Sequence, residues 1–190
     1  MSSLVRCPWV GQNKPHYNDY HDQDWGVPVH DDRLHFEMLI LEGAQAGLNW
    51  ETILKRRDGY RAAFDNFDVQ KVAQYGESKI QSLLQDTGII RNKLKVRSAV
   101  KNAQAFIKIQ EEFGTFDAYI WGFVNDAPIV NAWEKMEDVP ITTDISDALS
   151  KDLKKRGMSF VGSTIIYAHM QAIGVVNDHL TSCFRYHELS

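Results

Sequence analysis

Two cysteines and two histidines, one of each near either end of the chain, could together form a metal site. Cys7 precedes His21 near the N-terminus, and His179 precedes Cys183 near the C-terminus. A Cys₂His₂ set completes the tetrahedral ligand sphere that zinc prefers, and the spacing of His179 and Cys183 puts both on one face of a helical turn. Zinc held by these four residues would join the two ends of the chain. Spacing alone leaves other histidines open as ligands, namely His16, His30, His35, His169 and His187.

Large aromatic side chains are concentrated around and shortly after the first two candidate ligands. They are Trp9, Tyr17, Tyr20, Trp25 and Trp50. Most of them lie in a polar, loop-like segment, so they do not form a simple hydrophobic stripe. They could be separate anchors of the core, or the walls of a box that stacks on a flat, cationic ligand. Both interpretations remain open from the sequence.

A glutamate follows in the first helical pattern. Glu42 lies among apolar residues, with Leu39 three positions before it and Ala46 four positions after it. A carboxylate buried in such surroundings must be paired or must face a cavity. An exposed position on the helix would also satisfy the periodicity.

The segment from Lys154 to Thr164 combines basic residues with a glycine-containing turn between two helical patterns. Such a turn presents the backbone N–H groups of Gly162, Ser163 and Thr164 at a helix N-terminus, which suits a phosphate group. A tight helix–helix connection without a ligand is the alternative. Other basic clusters, at 55–57 and 91–97, are ordinary solvated faces when taken singly, but together they favour one positive surface.

Helical spacing dominates the rest of the chain, and strand signals are poor. The predicted helices cover 34–46, 50–57, 58–64, 92–113, 116–124, 146–157 and 162–173, and short helices begin near Asp68 and Glu77. Asn49 is predicted to cap the second helix, and Ser146 or Asp147 the helix that ends at 157. Residues 126–145 are predicted to be a long loop. The pattern predicts one compact all-α domain over residues 1–190, with its ends the least regular parts.

Composition limits the classes of protein that are possible. A hydrophobic fraction of 44% and a charged fraction of 24% are ordinary for a globular domain. The net charge of −4 argues against a protein that is basic all over, but a local basic patch is compatible with it. We expect a cytoplasmic protein without a membrane partner, because no signal peptide or long apolar run is visible. A reducing compartment would leave both thiols free to bind a metal.

Several longer runs resemble the constitutive type I family of DNA-3-methyladenine glycosylases, which belongs to the helix-hairpin-helix superfamily. The resemblance extends from about residue 6 to residue 183. The runs that carry it are Arg6-Cys7-Pro8-Trp9, Tyr20-His21-Asp22, Asp24-Trp25-Gly26-Val27-Pro28, Phe36-Glu37-Met38, Leu41-Glu42-Gly43, Gln45-Ala46-Gly47-Leu48-Asn49-Trp50, Phe160-Val161-Gly162 and Val176-Asn177-Asp178-His179.

The resemblance implies a role for each candidate group. It implies one structural zinc ion per chain, bound by Cys7, His21, His179 and Cys183. It implies a base pocket formed by Trp9, Tyr17, Tyr20, Trp25, Glu42 and Trp50. Leu48, next to Gly47, would fill the gap left by a flipped nucleotide. A helix-hairpin-helix unit over about 147–174 would place Gly162, Ser163 and Thr164 against the DNA.

The implied activity is excision of 3-methyladenine from alkylated duplex DNA by a monomeric, monofunctional enzyme, which releases the free base and leaves an abasic site. Methylation gives the purine a positive charge that weakens its glycosidic bond, so the enzyme must mainly extrude the base and hold the cation. Glu42 is the expected catalytic carboxylate. The wider superfamily usually supplies a catalytic aspartate shortly after the second helix of the hairpin, where this sequence has Asp178. Asp178 is not nominated, because the type I family that the sequence resembles lacks that aspartate role. A lesion-binding protein without catalysis and a metal-joined scaffold without a nucleic-acid role are the alternatives.

Overall fold

The computed structural model describes residues 4–190, and these residues form a mostly helical protein. The helices are α1 Pro15–Asp19, α2 Asp32–Gln45, α3 Trp50–Leu54, α4 Arg57–Ala63, α5 Val69–Ala73, α6 Glu77–Gln85, α7 Lys93–Phe113, α8 Phe116–Trp121, α9 Asp144–Lys155, α10 Ser163–Ala172 and α11 Phe184–Glu188. Short 3₁₀ turns occupy Pro8–Val10, Asp65–Phe67, Gly122–Val124 and Met136–Asp138. The predicted helices therefore exist, with ends that differ by a few residues.

Helix α2 lies at the centre of the molecule. Every residue from His35 to Ala44 is buried, although the sequence pattern suggested a single apolar face. The long helix α7 packs against α2, α5, α6 and α8, and α10 packs against both α2 and α9. Because α2 is enclosed on all sides, its two glutamates, Glu37 and Glu42, are both taken into the interior.

The prediction of an all-α fold is wrong for one small feature. Strand β1, Ile129–Val130, pairs in parallel with strand β2, Val176–Asn177. A pair of two-residue strands is too short to leave an alternating pattern in the sequence. The pairing holds the segment predicted as a loop against the residues that directly precede Asp178 and His179.

The cap of α9 also differs from the prediction. Thr143, not Ser146 or Asp147, is the N-cap: its Oγ1 accepts a hydrogen bond from Ser146 N, and Ser146 Oγ accepts one from Thr143 N. This reciprocal pair is a capping box, so Ser146 belongs inside the helix. At its other end α9 finishes at Lys155, and Gly157 follows the C-cap residue Arg156 with a φ of +96°. Gly157 N donates to Lys154 O, and Met158 N donates to Leu153 O. These two bonds form a Schellman motif.

The N-terminal segment is more regular than predicted. Pro15 begins α1, a position that its fixed φ favours, and a π-helical turn, Tyr20–Asp24, continues directly from it. The wider turn buries both Tyr20 and His21. Near the other end, α11 was not predicted. Among residues 4–190, no helix has the length and apolar character needed to cross a membrane.

Candidate functional site

The four predicted metal ligands meet in the structure. Their ligand atoms lie within 4.8 Å of one another, and all four side chains are buried. Cys183 Sγ lies 3.4 Å from His21 Nε2 and 3.5 Å from His179 Nδ1, and Cys7 Sγ lies 3.7 Å from His179 Nδ1. Ordinary Zn–S and Zn–N bond lengths in a tetrahedron give S···N edges of about 3.6 Å. The group therefore has the size and the ligand types to hold a metal ion.

The groups around these ligands also suit a metal site. His21 Nδ1 is 2.8 Å from Asp22 Oδ1, and His179 Nε2 is 3.0 Å from the carbonyl oxygen of Trp25. Such partners fix the ring so that its other nitrogen faces the metal. Hydrogen bonding between the two thiols raises the pKa of Cys7 and lowers that of Cys183. None of the five competing histidines belongs to this cluster of described residues.

The predicted aromatic residues and Glu42 line one cavity of about 260 Å³, close to the lower end of the ~300–1,000 Å³ range of small-molecule sites. Trp9 contacts two of the other rings edge-on: its ring centroid is 5.7 Å from that of Tyr17 and 5.1 Å from that of Trp25. The ring centroids of Tyr20 and Trp50 lie 5.5 Å apart. The aromatic residues thus form a joined box rather than separate core anchors, and the π-helical turn supplies one wall of it.

Glu42 is the unusual group in this box. It is 4% exposed, and no ion pair or side-chain hydrogen bond connects it to another described residue. Burial raises its pKa to about 8. Tyr20, whose own pKa is raised by burial and then by the charge of Glu42, lies beside it. A desolvated carboxyl without a partner is costly to ionise, and its presence in a cavity is typical of a functional group.

Glu37, five residues earlier on the same helix, provides a direct contrast. It is fully buried, but Arg57 Nε and Arg61 Nη2 donate to its Oε1 at 2.6 and 2.8 Å, and Arg33 Nη1 donates to Oε2 at 3.0 Å. Burial raises the pKa of this carboxyl, but hydrogen bonds from Arg61 and Arg57 outweigh burial, and the net pKa is lowered. Arginine side chains therefore compensate the negative charge of Glu37, whereas Glu42 has no positively charged partner among residues 4–190.

Sequence reasoning missed part of the cavity wall. Asp178 lines the cavity, and its Oδ1 accepts hydrogen bonds from Asn131 and Trp133 while its Oδ2 accepts from Tyr167 and Gln171. These four bonds, each between 2.6 and 2.7 Å, occupy both oxygens and hold the C-terminal segment to its neighbours. The other missed lining residues are Gln45, Met136, Val139, Ala168 and Gln171. Only Gln45 and Asp178 were inside conspicuous sequence runs.

The candidate DNA-contacting residues lie outside the cavity. Gly47 and Leu48 form an exposed turn after α2, with Gly47 at φ +75° and Leu48 39% exposed. Asn49 caps α3, as predicted, by accepting a hydrogen bond from Glu51 N at 2.7 Å. Gly162 precedes Ser163 and Thr164 at the start of α10, and no side chain caps this end. Its first backbone N–H groups are therefore available for another acceptor.

Together these features define a class of site. A mostly helical scaffold encloses a cavity of aromatic rings around one desolvated carboxyl, an arrangement suited to a flat, positively charged ligand. The family model for methyladenine glycosylases matches residues 9–186. The chain belongs to that family.

Relatives of known name agree with this assignment. The chain is 48% identical over 183 residues to DNA-3-methyladenine glycosylase 1 of Escherichia coli. This match covers 96% of this chain and 97% of the relative. The chain is 47% identical to a DNA-3-methyladenine glycosylase of Haemophilus influenzae, and the match covers 94% of this chain and 96% of the relative.

Solved structures give the same result for the fold. A crystal structure of a 3-methyladenine DNA glycosylase I superposes with a TM-score of 0.91 at 47% identity, over 95% of this chain and 98% of the other. A structure of 3-methyladenine DNA glycosylase I from Staphylococcus aureus, which concerns recognition of 3-methyladenine, superposes with a TM-score of 0.92 at 34% identity. The superposition covers 96% of this chain and 97% of the other.

Proposed function

We propose that this protein is a DNA-3-methyladenine glycosylase, which removes 3-methyladenine from alkylated duplex DNA in base-excision repair. The observation that carries the proposal is the uncompensated Glu42 inside the aromatic cavity. A cation bound there would supply the missing positive charge. Similarity to relatives of that name over nearly the whole length of the chain supports the same activity.

The cavity suits a purine that is cationic in DNA because it is methylated at N3. Aromatic faces attract such a cation, and an ionised Glu42 can accept hydrogen bonds from its edge. The indole N–H groups of Trp9 and Trp50 are buried without a partner among the described residues, and acceptor atoms of a bound base would satisfy them. Because the lesion is already a good leaving group, positioning and charge stabilisation suffice. Water then completes hydrolysis to an abasic site and free base.

The surface near the cavity suits a duplex from which one nucleotide has been extruded. Leu48, at the tip of its turn, is proposed to fill the gap in the base stack while the damaged base occupies the box. Gly162, Ser163 and Thr164 are proposed to hold a DNA phosphate with backbone N–H groups. The unit from α9 to α10 would then be the helix-hairpin-helix element of that superfamily.

The Cys₂His₂ group is proposed to hold one structural zinc ion per chain. Cys7, His21, His179 and Cys183 supply four ligands, which leaves no open position for substrate. His21 stands within 5.4 Å of Trp9, measured between ring centroids, and His179 within 4.5 Å of Trp25. The ion would therefore support the aromatic wall of the cavity. A single domain, a monomer and a cytoplasmic location stay predictions.

A lesion-binding protein without catalysis is the remaining alternative, and a base-release assay separates it from an enzyme. Purified protein is mixed with alkylated duplex DNA, and free 3-methyladenine and 7-methylguanine are quantified over time by mass spectrometry. The proposal expects catalytic release of 3-methyladenine with an equal number of abasic sites. Duplex binding without release above the protein-free control would support the binding protein instead.

A further inference from the structure

Lys95, near the start of α7, forms hydrogen bonds with the end of α2. Lys95 Nζ donates to the carbonyl oxygens of Ala44 and Ala46, both at 2.7 Å. Ala44 lies in the last turn of α2 and Ala46 is its C-cap. Carbonyls at the end of a helix have no partner within it, and a positive charge is favourable there. Lys95 is half-buried, and burial lowers its pKa.

The residues that follow Ala46 form a tight turn. Leu48 N donates to Gln45 O at 2.6 Å, and Gln45 Nε2 donates to Leu48 O at 3.0 Å. Gly47 has the positive φ that such a turn requires. Gln45 lines the base cavity while Leu48 is exposed at the tip. Lys95 therefore binds carbonyl oxygens in the residues that lead into this turn.

The same helix also holds the connection between α9 and α10. Asn102, two helical turns after Lys95 and so on the same face of α7, binds Ser159 twice. Its Nδ2 donates to Ser159 O at 2.9 Å, and its Oδ1 accepts from Ser159 N at 2.8 Å. The next residue, Phe160, has a left-handed φ of +59°. Its backbone conformation is therefore maintained by its surroundings.

The two held segments touch each other directly. A Cβ atom placed on Gly43 would lie 3.3 Å from Phe160 Cβ, which leaves little room for the hairpin to move relative to α2. Gly43 follows Glu42. One face of α7 thus fixes three things together: the end of the helix that carries Glu42, the Gly47–Leu48 turn, and the α9–α10 connection.

We propose that Lys95 and Asn102 are positioning residues for base extrusion. They hold the Gly47–Leu48 turn and the α9–α10 hairpin at one spacing, so that Leu48 enters the base stack at a set distance from the phosphate that the hairpin binds. This inference rests on the proposed function of Leu48 and of the hairpin. Neither Lys95 nor Asn102 contacts the base cavity.

The test compares Lys95→Met with Lys93→Met. Both substitutions remove one positive charge from the start of α7, but Lys93 is exposed and makes no side-chain hydrogen bond or ion pair with residues 4–190. Four quantities are measured for the parent and both variants: single-turnover release of 3-methyladenine, affinity for undamaged duplex, affinity for free 3-methyladenine, and hydrogen exchange at the Leu48 amide.

Lys95→Met should release base about tenfold more slowly than Lys93→Met at saturating protein, a change equivalent to about 1.4 kcal/mol in the barrier. Its Leu48 amide should exchange faster, because the turn has lost its anchor. Duplex affinity should fall equally in both variants, and affinity for the free base should stay within about twofold of the parent. Asn102→Asp, which keeps the acceptor but loses the donor to Ser159, should slow release in the same way.

Equal release by Lys95→Met and Lys93→Met, or unchanged exchange at Leu48, would overturn the positioning role. That failure differs from a failure of the proposed function. If the parent released no base, the glycosylase assignment would be wrong. If Leu48→Ala released base at the parent rate, Leu48 would have no part in base extrusion. The proposed positioning role of Lys95 would then be wrong as well.

Discussion

Replacing Glu42 by glutamine should make the folded protein more stable, and the gain should grow with pH. Burial raises the pKa of Glu42 to about 8, against 4.5 for the free side chain. Between these values the folded state binds more protons than the unfolded chain, so the free energy of unfolding of the parent falls as pH rises. Glutamine fills the same space without titrating.

The size of the effect follows from the difference between the two pKa values. One pKa unit is equivalent to about 1.36 kcal/mol. From about pH 5 to pH 8 the parent should therefore lose ~3–4 kcal/mol relative to Glu42→Gln, and the difference should level off above the folded pKa. For a domain of this size, such a loss is a large part of the total stability.

The assay is urea unfolding at a series of pH values, with Glu37→Gln as the matched control. Glu37 occupies the same helix and is equally enclosed, but its pKa is lowered, so its contribution to stability is present above the unfolded pKa and is lost as pH falls through the folded pKa. Glu37→Gln should therefore destabilise the protein at neutral pH, by about 3–5 kcal/mol for a broken buried ion pair. If Glu42→Gln were neutral or destabilising at pH 8, Glu42 would have a counter-charge or solvent access, and the argument from its burial would fail.

Three further results are expected. Leu48→Ala should slow base release by roughly tenfold and leave the affinity for free 3-methyladenine unchanged, because Leu48 lies outside the cavity; a loss of free-base affinity by calorimetry would place Leu48 in the pocket instead. A strong chelator should lower the melting temperature of the parent, because metal binding stabilises only the folded state, but not that of Cys183→Ala; protein purified without chelator that contains no zinc by elemental analysis would refute the metal site. Tyr20→Phe should change the pKa of Glu42 only slightly, because burial is what raises that pKa. If NMR titration showed a change of more than about one pKa unit, equivalent to ~1.36 kcal/mol, Tyr20 rather than burial would be responsible for the raised pKa.

Much of the fold and most of the site could be predicted from the sequence. Helical periodicity located the main helices because amphipathic or wholly apolar segments leave a clear pattern. The metal ligands and aromatic residues were accessible because Cys, His, Trp and Tyr are rare enough for a cluster to stand out. The choice among seven histidines was not accessible from spacing, since Cys7 and His179 are neighbours only after folding.

The missed features depend on contacts between distant segments. The ionisation of Glu42 depends on which side chains surround α2, and helical periodicity does not identify those side chains. Asp178 joins the cavity wall because Trp133 and Asn131 reach it from a segment that is more than forty residues away and had no regular pattern. The pairing of β1 with β2 is too short to detect. Likewise, no local signal could show that Lys95 and Asn102 hold two separate turns.

The most direct test of the account is the pH dependence of kcat/KM for release of 3-methyladenine from duplex DNA, measured for the parent and for Glu42→Gln. The kcat/KM profile reports the ionisation of the free enzyme. The parent should gain activity with rising pH, reach half of its maximum near the Glu42 pKa of about 8 and level off above it. Glu42→Gln should be slow and independent of pH over the same range. Equal activity of the two proteins, with no step near that pH, would contradict the claim that an ionised Glu42 holds the departing base.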